Sequence, residues 1–259
     1  MRSAFDLDAL VIQHAEDNEL SKDGQVNDGI IATKLGLQGI PDYAEKIIIE
    51  RDLTLLEDFN CRYHISQISS GKSMDVIQNK KETVKFTTGV SINNLSLNQN
   101  DIGDFRTFLK LSPPLRTEED RLSLIKGVNQ NMIDVIVSDH KPEDEESKRL
   151  TFSQAATGAS GIETLLPLAL ELYHNGSVKL DKLIECLTSN PAKILKIDKG
   201  SLSVGSNADL CIVDLYKPWV VKKEKMISKS KNTCIEDKKL QGKVLNTFIN
   251  GIELFKCQI

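Results

Sequence analysis

Apolar and polar positions change period several times along the chain, and each change marks an element. Ala9 to Ile12 is a short apolar run that breaks into the polar group Gln13-His14-Ala15-Glu16-Asp17. This predicts a strand with a chemically rich end. From Pro41 the period lengthens: Ala44, Ile47, Ile48 and Leu55 recur near helical spacing, and proline suits a first helical position. Arg62 to Ile68 reads as a strand, a short helix follows from about Ser73, and Val84 to Val90 is again strand-like, rich in Thr and Val. Thr117-Glu118-Glu119-Asp120 predicts a capped helix start, with a hydroxyl at the cap and acids against the positive helix end. That helix carries Leu122, Leu124, Ile125 and Val128. Met132 to Val137 then forms an apolar strand ending in Ser138-Asp139-His140. Strand and helix in alternation predict a parallel sheet with right-handed crossovers.

The last third has a different texture. Ile162 to Tyr173 is apolar almost all round and predicts a buried helix; Leu180 to Thr188 predicts another, stopping before Asn190-Pro191. Short β segments follow at Ala208 to Asp214, Val244 to Ile249 and Ile252 to Phe255. Asn250-Gly251 between the last two is a strong hairpin signal. The expected organisation is an α/β body, residues 1–199, with a small β unit, residues 200–259, and a boundary near Gly200.

Composition narrows the functional classes. The 259 residues are 40% hydrophobic and 27% charged, with a net charge of −4, so the basic surplus typical of a nucleic-acid binder is absent. The one basic cluster, Lys222 to Lys231, contains Glu224 and reads as a solvated surface stretch. No apolar run reaches the ~18 residues of a membrane span, and the opening residues lack the apolar core of a secretion signal. Five scattered cysteines with no CxxC pair indicate neither a zinc knuckle nor a disulfide framework, and fit a cytoplasmic protein.

Candidate chemistry is sparse. There are four histidines, and His174 sits at a helix end, where a cationic ring suits the negative dipole end. His14 directly follows the first strand and Asp139 follows the Met132 to Val137 strand. In a barrel of parallel strands, catalytic groups collect at the carboxyl ends of strands. Imidazole and carboxylate from such ends are what a zinc or other divalent site requires. The plainer readings are a polar strand end for His14 and a turn-former before Pro142 for Asp139. Ser70-Gly71-Lys72-Ser73 looks like the tail of a phosphate-binding loop, but position 66 is Ser66 where that loop needs glycine. Asn94-Leu95-Ser96 and Asn175-Gly176-Ser177 match glycosylation acceptors with no sign of secretion beside them.

Several stretches, in order, resemble the carboxyl-terminal part of a dihydroorotase, a cyclic amidohydrolase of pyrimidine synthesis. They are Gln13 to Asp17, Leu35 to Pro41 with Ala44-Glu45, Arg62-Tyr63-His64-Ile65, Ser112-Pro113-Pro114-Leu115-Arg116, Ile133 to His140, Gly158 through Thr164, Gly205 with Ala208-Asp209-Leu210, and Lys231-Asn232-Thr233. The resemblance covers nearly the whole chain. It implies a metal-dependent (β/α)8 TIM barrel with a small β domain, of which about strands five to eight are present. It implies zinc as cofactor, with His14 and Asp139 as metal ligands and Asp139 as the catalytic proton shuttle. Ser112 and His140 fall at substrate-binding positions. The substrate implied is dihydroorotate or carbamoyl aspartate, interconverted reversibly; hydantoin, allantoin and dihydropyrimidine rings are opened on similar scaffolds.

The pattern has departures. The family's sixth strand carries two histidines three apart; here they are His64 and Gln67, and the lost one is the ligand. A neutral amide is a poor replacement for imidazole on zinc. Ser112 stands where the family usually has Asn, and Ile92-Asn93-Asn94 stands for Pro-His-His. Glu143 replaces a histidine that binds the substrate carboxylate. Near a surface, like charges ~4 Å apart cost on the order of 4 kcal/mol, with Lys141 a compensating neighbour. The first four strands and their ligands have no counterpart. The expectation is therefore a chain that forms a homo-oligomer or is completed by a missing amino-terminal half. The alternative is a non-catalytic dihydroorotase-like partner of aspartate transcarbamoylase.

Overall fold

A computed structural model describes residues 1–257. The chain opens with a short helix, α1 (Arg2–Asp6), and the strand β1 (Leu10–Gln13). A two-stranded parallel ribbon, β2 (Val26–Asn27) with β3 (Gly39–Ile40), brackets α2 (Ile30–Leu35). Then α3 (Tyr43–Phe59), β4 (Arg62–Ile68), α4 (Gly71–Lys80), β5 (Thr87–Ser91) and α5 (Ile92–Ser96) follow in close succession. The α/β part closes with α6 (Glu118–Asn129), β6 (Val135–Val137) and α7 (Glu145–Arg149).

The order β1-β4-β5-β6 forms one sheet in which every neighbouring pair is parallel. Side chains alternate across β4. Tyr63 and Ile65 are buried toward the helical layer, where the Tyr63 hydroxyl donates to Asp52 of α3 at 2.5 Å. His64 and Ser66 face the other, concave side. The helical layer is held by burial: Ile49, Leu53 and Leu56 of α3, Ile77 of α4 and Leu124 and Val128 of α6 are almost fully enclosed. Each such side chain contributes about 1.5–3 kcal/mol. A register shift between Ile65 and Ile68 breaks the alternation just before the carboxyl end of β4.

Local capping is as the sequence predicts at Thr117. Its side chain accepts from the Asp120 N–H at 3.1 Å while Asp120 accepts from the Thr117 N–H, a reciprocal capping box. Thr117→Ala is expected to lower stability by about 1 kcal/mol; a denaturant midpoint unchanged from the parent would remove the cap from the account. Ser70 caps α4 in the same way, accepting from the Ser73 N–H. That is the physical role of the Ser70-Gly71-Lys72-Ser73 motif.

The helices α8 (Leu165–His174), α9 (Leu180–Leu187) and α10 (Ser189–Leu195) lead to an antiparallel sheet of β7 (Leu210–Val220), β8 (Lys239–Ile249) and β9 (Ile252–Lys256). Asn250 and Gly251 both adopt positive φ, 51° and 79°, and turn the β8–β9 hairpin. Helix α10 crosses the amino ends of the parallel strands: Arg62 of β4 donates to the Ile194 carbonyl, and Asn190 donates to the carbonyl of Asp134, just before β6, at 3.0 Å.

Several boundaries differ from the sequence reading. Pro41 lies outside α3, which starts at Tyr43 with Asp42 as its cap. The strands expected at Val84 and Met132 start only at Thr87 and Val135, because Val84, Phe86 and Ile133 are buried in the approaches without ladder partners. The helix expected at Leu180 to Thr188 does end at Leu187, before Asn190-Pro191, but a separate helix not read from sequence, α10, begins at Ser189 with the proline in its first turn, where no intrahelical N–H is needed. β7 and β8 are each 11 residues long, well beyond the short segments expected, because they pair with each other past two register shifts. Within the Lys222 to Lys231 cluster, Lys222 pairs with Asp237 and Lys223 with Glu236, while the Lys231 ammonium turns inward to the Met226 and Ser228 carbonyls. No helix among the described residues is long and apolar enough to cross a membrane.

Candidate functional site

The concave side of the parallel sheet holds a cavity of about 310 Å³. Its walls are Leu10 and Ile12 of β1, His64, Ser66 and Gln67 of β4, and Val135 and Val137 of β6, with Asp139 at one end and Pro191, Ile194 and Leu195 of α10 at the other. Apolar walls with polar groups gathered at the carboxyl end are the usual build of a small-molecule site.

Gln67 and Asp139 are the cavity's polar groups at that end, and further polar side chains follow the strand ends beyond its lining. Immediately after β1, His14 Nε2 stands 3.2 Å from the Ser112 hydroxyl and 3.5 Å from a carboxylate oxygen of Glu16. The Glu16 carboxylate raises the His14 pKa above its ordinary value, against the opposing effect of burial; His14 in turn lowers that of Glu16. Ser112 precedes a cis peptide to Pro113. At the end of β4 the Gln67 amide donates to Asp139 Oδ1 at 2.8 Å. Asp139 follows β6 with φ at 48°, a left-handed turn that a short polar side chain tolerates. Burial raises the Asp139 pKa; the Gln67 hydrogen bond and the His14 and Lys141 charges work against it.

Three of the four sequence-predicted residues, His14, Ser112 and Asp139, are thus brought to one end of the sheet, as two contacting groups: His14 with Ser112 and Glu16, and Asp139 with Gln67. His140 is beside them in sequence but is otherwise engaged. Its Nδ1 accepts the backbone N–H of Gly161 at 3.2 Å and of Ile162 at 3.4 Å, which leaves the ring proton on Nε2. Glu143 lines a separate cavity with Phe108, Ser228 and Lys229, so the like-charge conflict expected there is not part of this cluster. Sequence reading missed Glu16 as the partner of His14. The signal was the i,i+2 spacing after a strand, which puts two side chains on one side of an extended segment.

Behind the cluster lies a buried polar network. Glu45 accepts the backbone N–H groups of Ser69 and Ser70, just past β4, while Arg116 donates to Ser69 Oγ, Asn27 Oδ1 and the Ile40 carbonyl. It fixes the strand end that carries Gln67.

A catalytic zinc commonly takes three protein ligands from imidazole, thiolate or carboxylate. His14, Glu16 and Asp139 are of the right chemical type, as is His64 on the cavity wall, but among the described residues no group of three or more His, Cys, Asp or Glu side chains converges to hold a metal ion. Gln67 presents its N–H to Asp139, not a lone pair to a cation. The residues of this chain do not by themselves fit the metal. His174 is no part of a site: it ends α8, contacts the Leu215 carbonyl at 2.9 Å and packs between Tyr173 and Tyr216.

A model of the amidohydrolase family matches residues 1–253. Among curated relatives, the dihydroorotase of Ehrlichia chaffeensis is 44% identical over 98% of this chain and 57% of its own length. That of Anaplasma phagocytophilum is 41% identical over the whole chain and 59% of its own length. This chain therefore spans somewhat over half the length of the relatives it matches. Among solved structures, L-hydantoinase (dihydropyrimidinase) from Arthrobacter aurescens superposes with a TM-score of 0.87 at 25% identity, over 98% of this chain and 59% of that one. Dihydropyrimidinase from Brevibacillus agri, at 21% identity and a TM-score of 0.85, shares the fold.

Proposed function

The chain belongs to the amidohydrolase family, and from that premise we propose that it supplies the carboxyl-terminal side of a dihydroorotase-type site, which closes carbamoyl aspartate to dihydroorotate and reopens it. The observation that carries this reading is the 44% identity to a dihydroorotase over almost the whole chain. It is supported by the convergence of His14, Ser112 and Asp139 at the carboxyl end of the sheet.

In ring opening, the oxygen of water adds to the ring carbonyl while its proton passes to the Asp139 carboxylate; the carbon–nitrogen bond then breaks and the departing nitrogen takes that proton. Asp139 is the group assigned to that proton. Burial favours its protonated form, and Gln67 holds one of its oxygens so that the other is aimed for transfer. In ring closure the same carboxylate takes the proton back. Ser112 Oγ offers a hydrogen bond to the polar edge of the ring, and the Nε2–H of His140 offers one to a substrate carboxylate. No step is routed through a metal, since the donor set does not fit one.

In this reading residues 1–199 form strands five to eight of a (β/α)8 barrel and, of residues 200–259, the described ones up to 257 form part of a small β domain, the last two lying outside the described residues. Two apolar surfaces support it. Ile12, on the outer strand β1, is 55% exposed, and Ile212, Ile249, Ile252, Leu254 and Phe255 lie uncovered on the antiparallel sheet. Both await the same occupant, a polypeptide segment equivalent to the portion of the relatives that this chain does not match.

The test is complementation. The chain is coexpressed with the unmatched segment of the Ehrlichia chaffeensis dihydroorotase and assayed for interconversion of carbamoyl aspartate and dihydroorotate. Turnover is expected from the pair and not from the chain alone, and Asp139→Asn is expected to lower kcat about a hundredfold. Turnover by the chain alone would overturn the need for completion. A stable complex that opens hydantoin but not dihydroorotate would overturn the substrate.

A further inference from the structure

We infer that the amino ends of the parallel strands carry a binding site for a polyphosphate, built by Arg62, Lys85, Lys193 and Lys196 around a cavity of about 460 Å³. It lies at the end of the sheet opposite Asp139. The cations come from three separate stretches: the start of β4, the approach to β5 and the carboxyl end of α10. Among the described residues no Asp or Glu lines the cavity. Lys196 pairs with Asp8, while none of the other three cations pairs with a carboxylate among the described residues. Lys85 and Lys193 are exposed, and their side chains make no hydrogen bond there either.

Arg62 is the anchor. It is half-buried, and its guanidinium donates to the carbonyls of Asp8 and Ile194. A cation drawn out of water is usually paired with an anion, and this one is not. The two carbonyl contacts fix the guanidinium and leave its other N–H groups for a ligand; that planar fork suits phosphate oxygens. Four cations less the one carboxylate of Asp8 leave an excess of about three positive charges around one cavity. They repel one another, and a compact anion among them removes that cost. A single phosphate group carries about two negative charges at most near neutral pH, so a chain of phosphates matches the excess better. Leu10 and Phe86 add apolar wall beside the cations. Leu10 and Ile194 also line the concave cavity, so a ligand here fastens α10 to the sheet. The inference is independent of the proposed reaction, because none of the four cations belongs to the His14 and Asp139 end.

Calorimetric titration of the full chain with tripolyphosphate and with ATP, without divalent cations, tests the site. Both are expected to bind once per chain and to raise the melting temperature, which sodium chloride at the same ionic strength does not. Tighter binding of ATP assigns the cavity to a nucleotide, and equal affinity assigns it to the phosphate chain alone; either supports the site. Lys85→Gln with Lys193→Gln removes two exposed cations that hold nothing in the fold, and is expected to weaken binding at least ~10-fold. Lys34→Gln with Lys126→Gln removes the same charge at exposed positions outside the cavity and is expected to leave the affinity unchanged. A parent that binds neither compound overturns the inference. So does a Lys85→Gln, Lys193→Gln protein that binds as tightly as the parent, or an equal loss from the two double variants, which is adventitious attraction to surface charge only.

Discussion

Glu45→Ala is expected to lower the unfolding free energy by about 3–5 kcal/mol, the usual cost of removing one partner from a buried charged network. Glu45 is 3% exposed and Arg116 4%. The two are joined through Ser69, whose hydroxyl donates to the Glu45 carboxylate and accepts from Arg116 Nε at 3.1 Å. Glu45 also receives the Ser69 N–H at 3.0 and 3.1 Å and the Ser70 N–H at 3.2 Å. Alanine leaves both N–H groups and the Ser69 hydroxyl without their acceptor, and removes the carboxylate to which Arg116 is joined through that hydroxyl. A surface pair makes the contrast: Arg149 and Glu145 are 71% and 73% exposed, and breaking that pair is expected to change stability by less than about 1 kcal/mol. Guanidinium denaturation of Glu45→Ala, Arg116→Met and the double variant checks the argument. The double variant should cost less than the sum of the singles, because the second substitution removes the charge that the first left stranded. A loss below about 1 kcal/mol for Glu45→Ala, or strict additivity, would mean that the network does not hold the strand end. Since Ser69 is two residues beyond Gln67, a looser strand end also loosens the Gln67–Asp139 contact.

What could be read from sequence follows the range of the forces involved. The strand from Arg62 to Ile68 has the expected limits because alternation and β-branched residues act locally. The Thr117 cap and the Asn250-Gly251 turn are likewise written in three or four adjacent residues. The length of β7 and β8 was not legible, because Pro218 and Trp219 are made strand by partners more than twenty residues away, Gln241 and Leu240. The same holds at the site. Its position at strand ends could be inferred from His14 and Asp139. The links that define it could not: Ser112 meets His14 across 98 positions and Gln67 meets Asp139 across 72. Gln67 in particular is displaced from plain alternation by the register shift in β4, which no periodicity announces. The resemblance supplied the family, and the curated relatives agree with it; the hydrogen bond between Gln67 and Asp139 exists only in the folded chain.

Lys148 provides the other large effect, and its sign depends on pH. The side chain is 2% exposed, and its ammonium is held by the Ala156 carbonyl at 2.7 Å and the Gly158 carbonyl at 3.0 Å, with no carboxylate among the described residues in hydrogen-bonding contact. Burial pushes its pKa down from 10.5 to about 8. Lys110 and Lys141 nearby push the same way, and Cys234 and Glu143 oppose them. The unfolded chain thus keeps a proton that the folded chain has released between pH 8 and 10.5. The penalty for burying the charge is fully present below pH 8 and fades as pH rises through that window, so this residue's contribution to stability increases by about 3 kcal/mol across it. Lys148→Met loses the dependence together with the two hydrogen bonds to carbonyl groups, whose loss does not vary with pH in this range. The parent-minus-variant difference in unfolding free energy is therefore expected to grow by about 3 kcal/mol from pH 8 to 10.5. Other alkaline titrations cancel in the difference because both proteins carry them. Parallel stability curves would mean that the ammonium is solvated in the folded state. The consequence reaches the site because the held loop runs straight into Ala159, which pairs with His140. A neutral amine still has two N–H groups for the same two carbonyls, so the loop should keep its place as the charge is lost. Loss of the Lys148 charge then adds to stability without displacing His140.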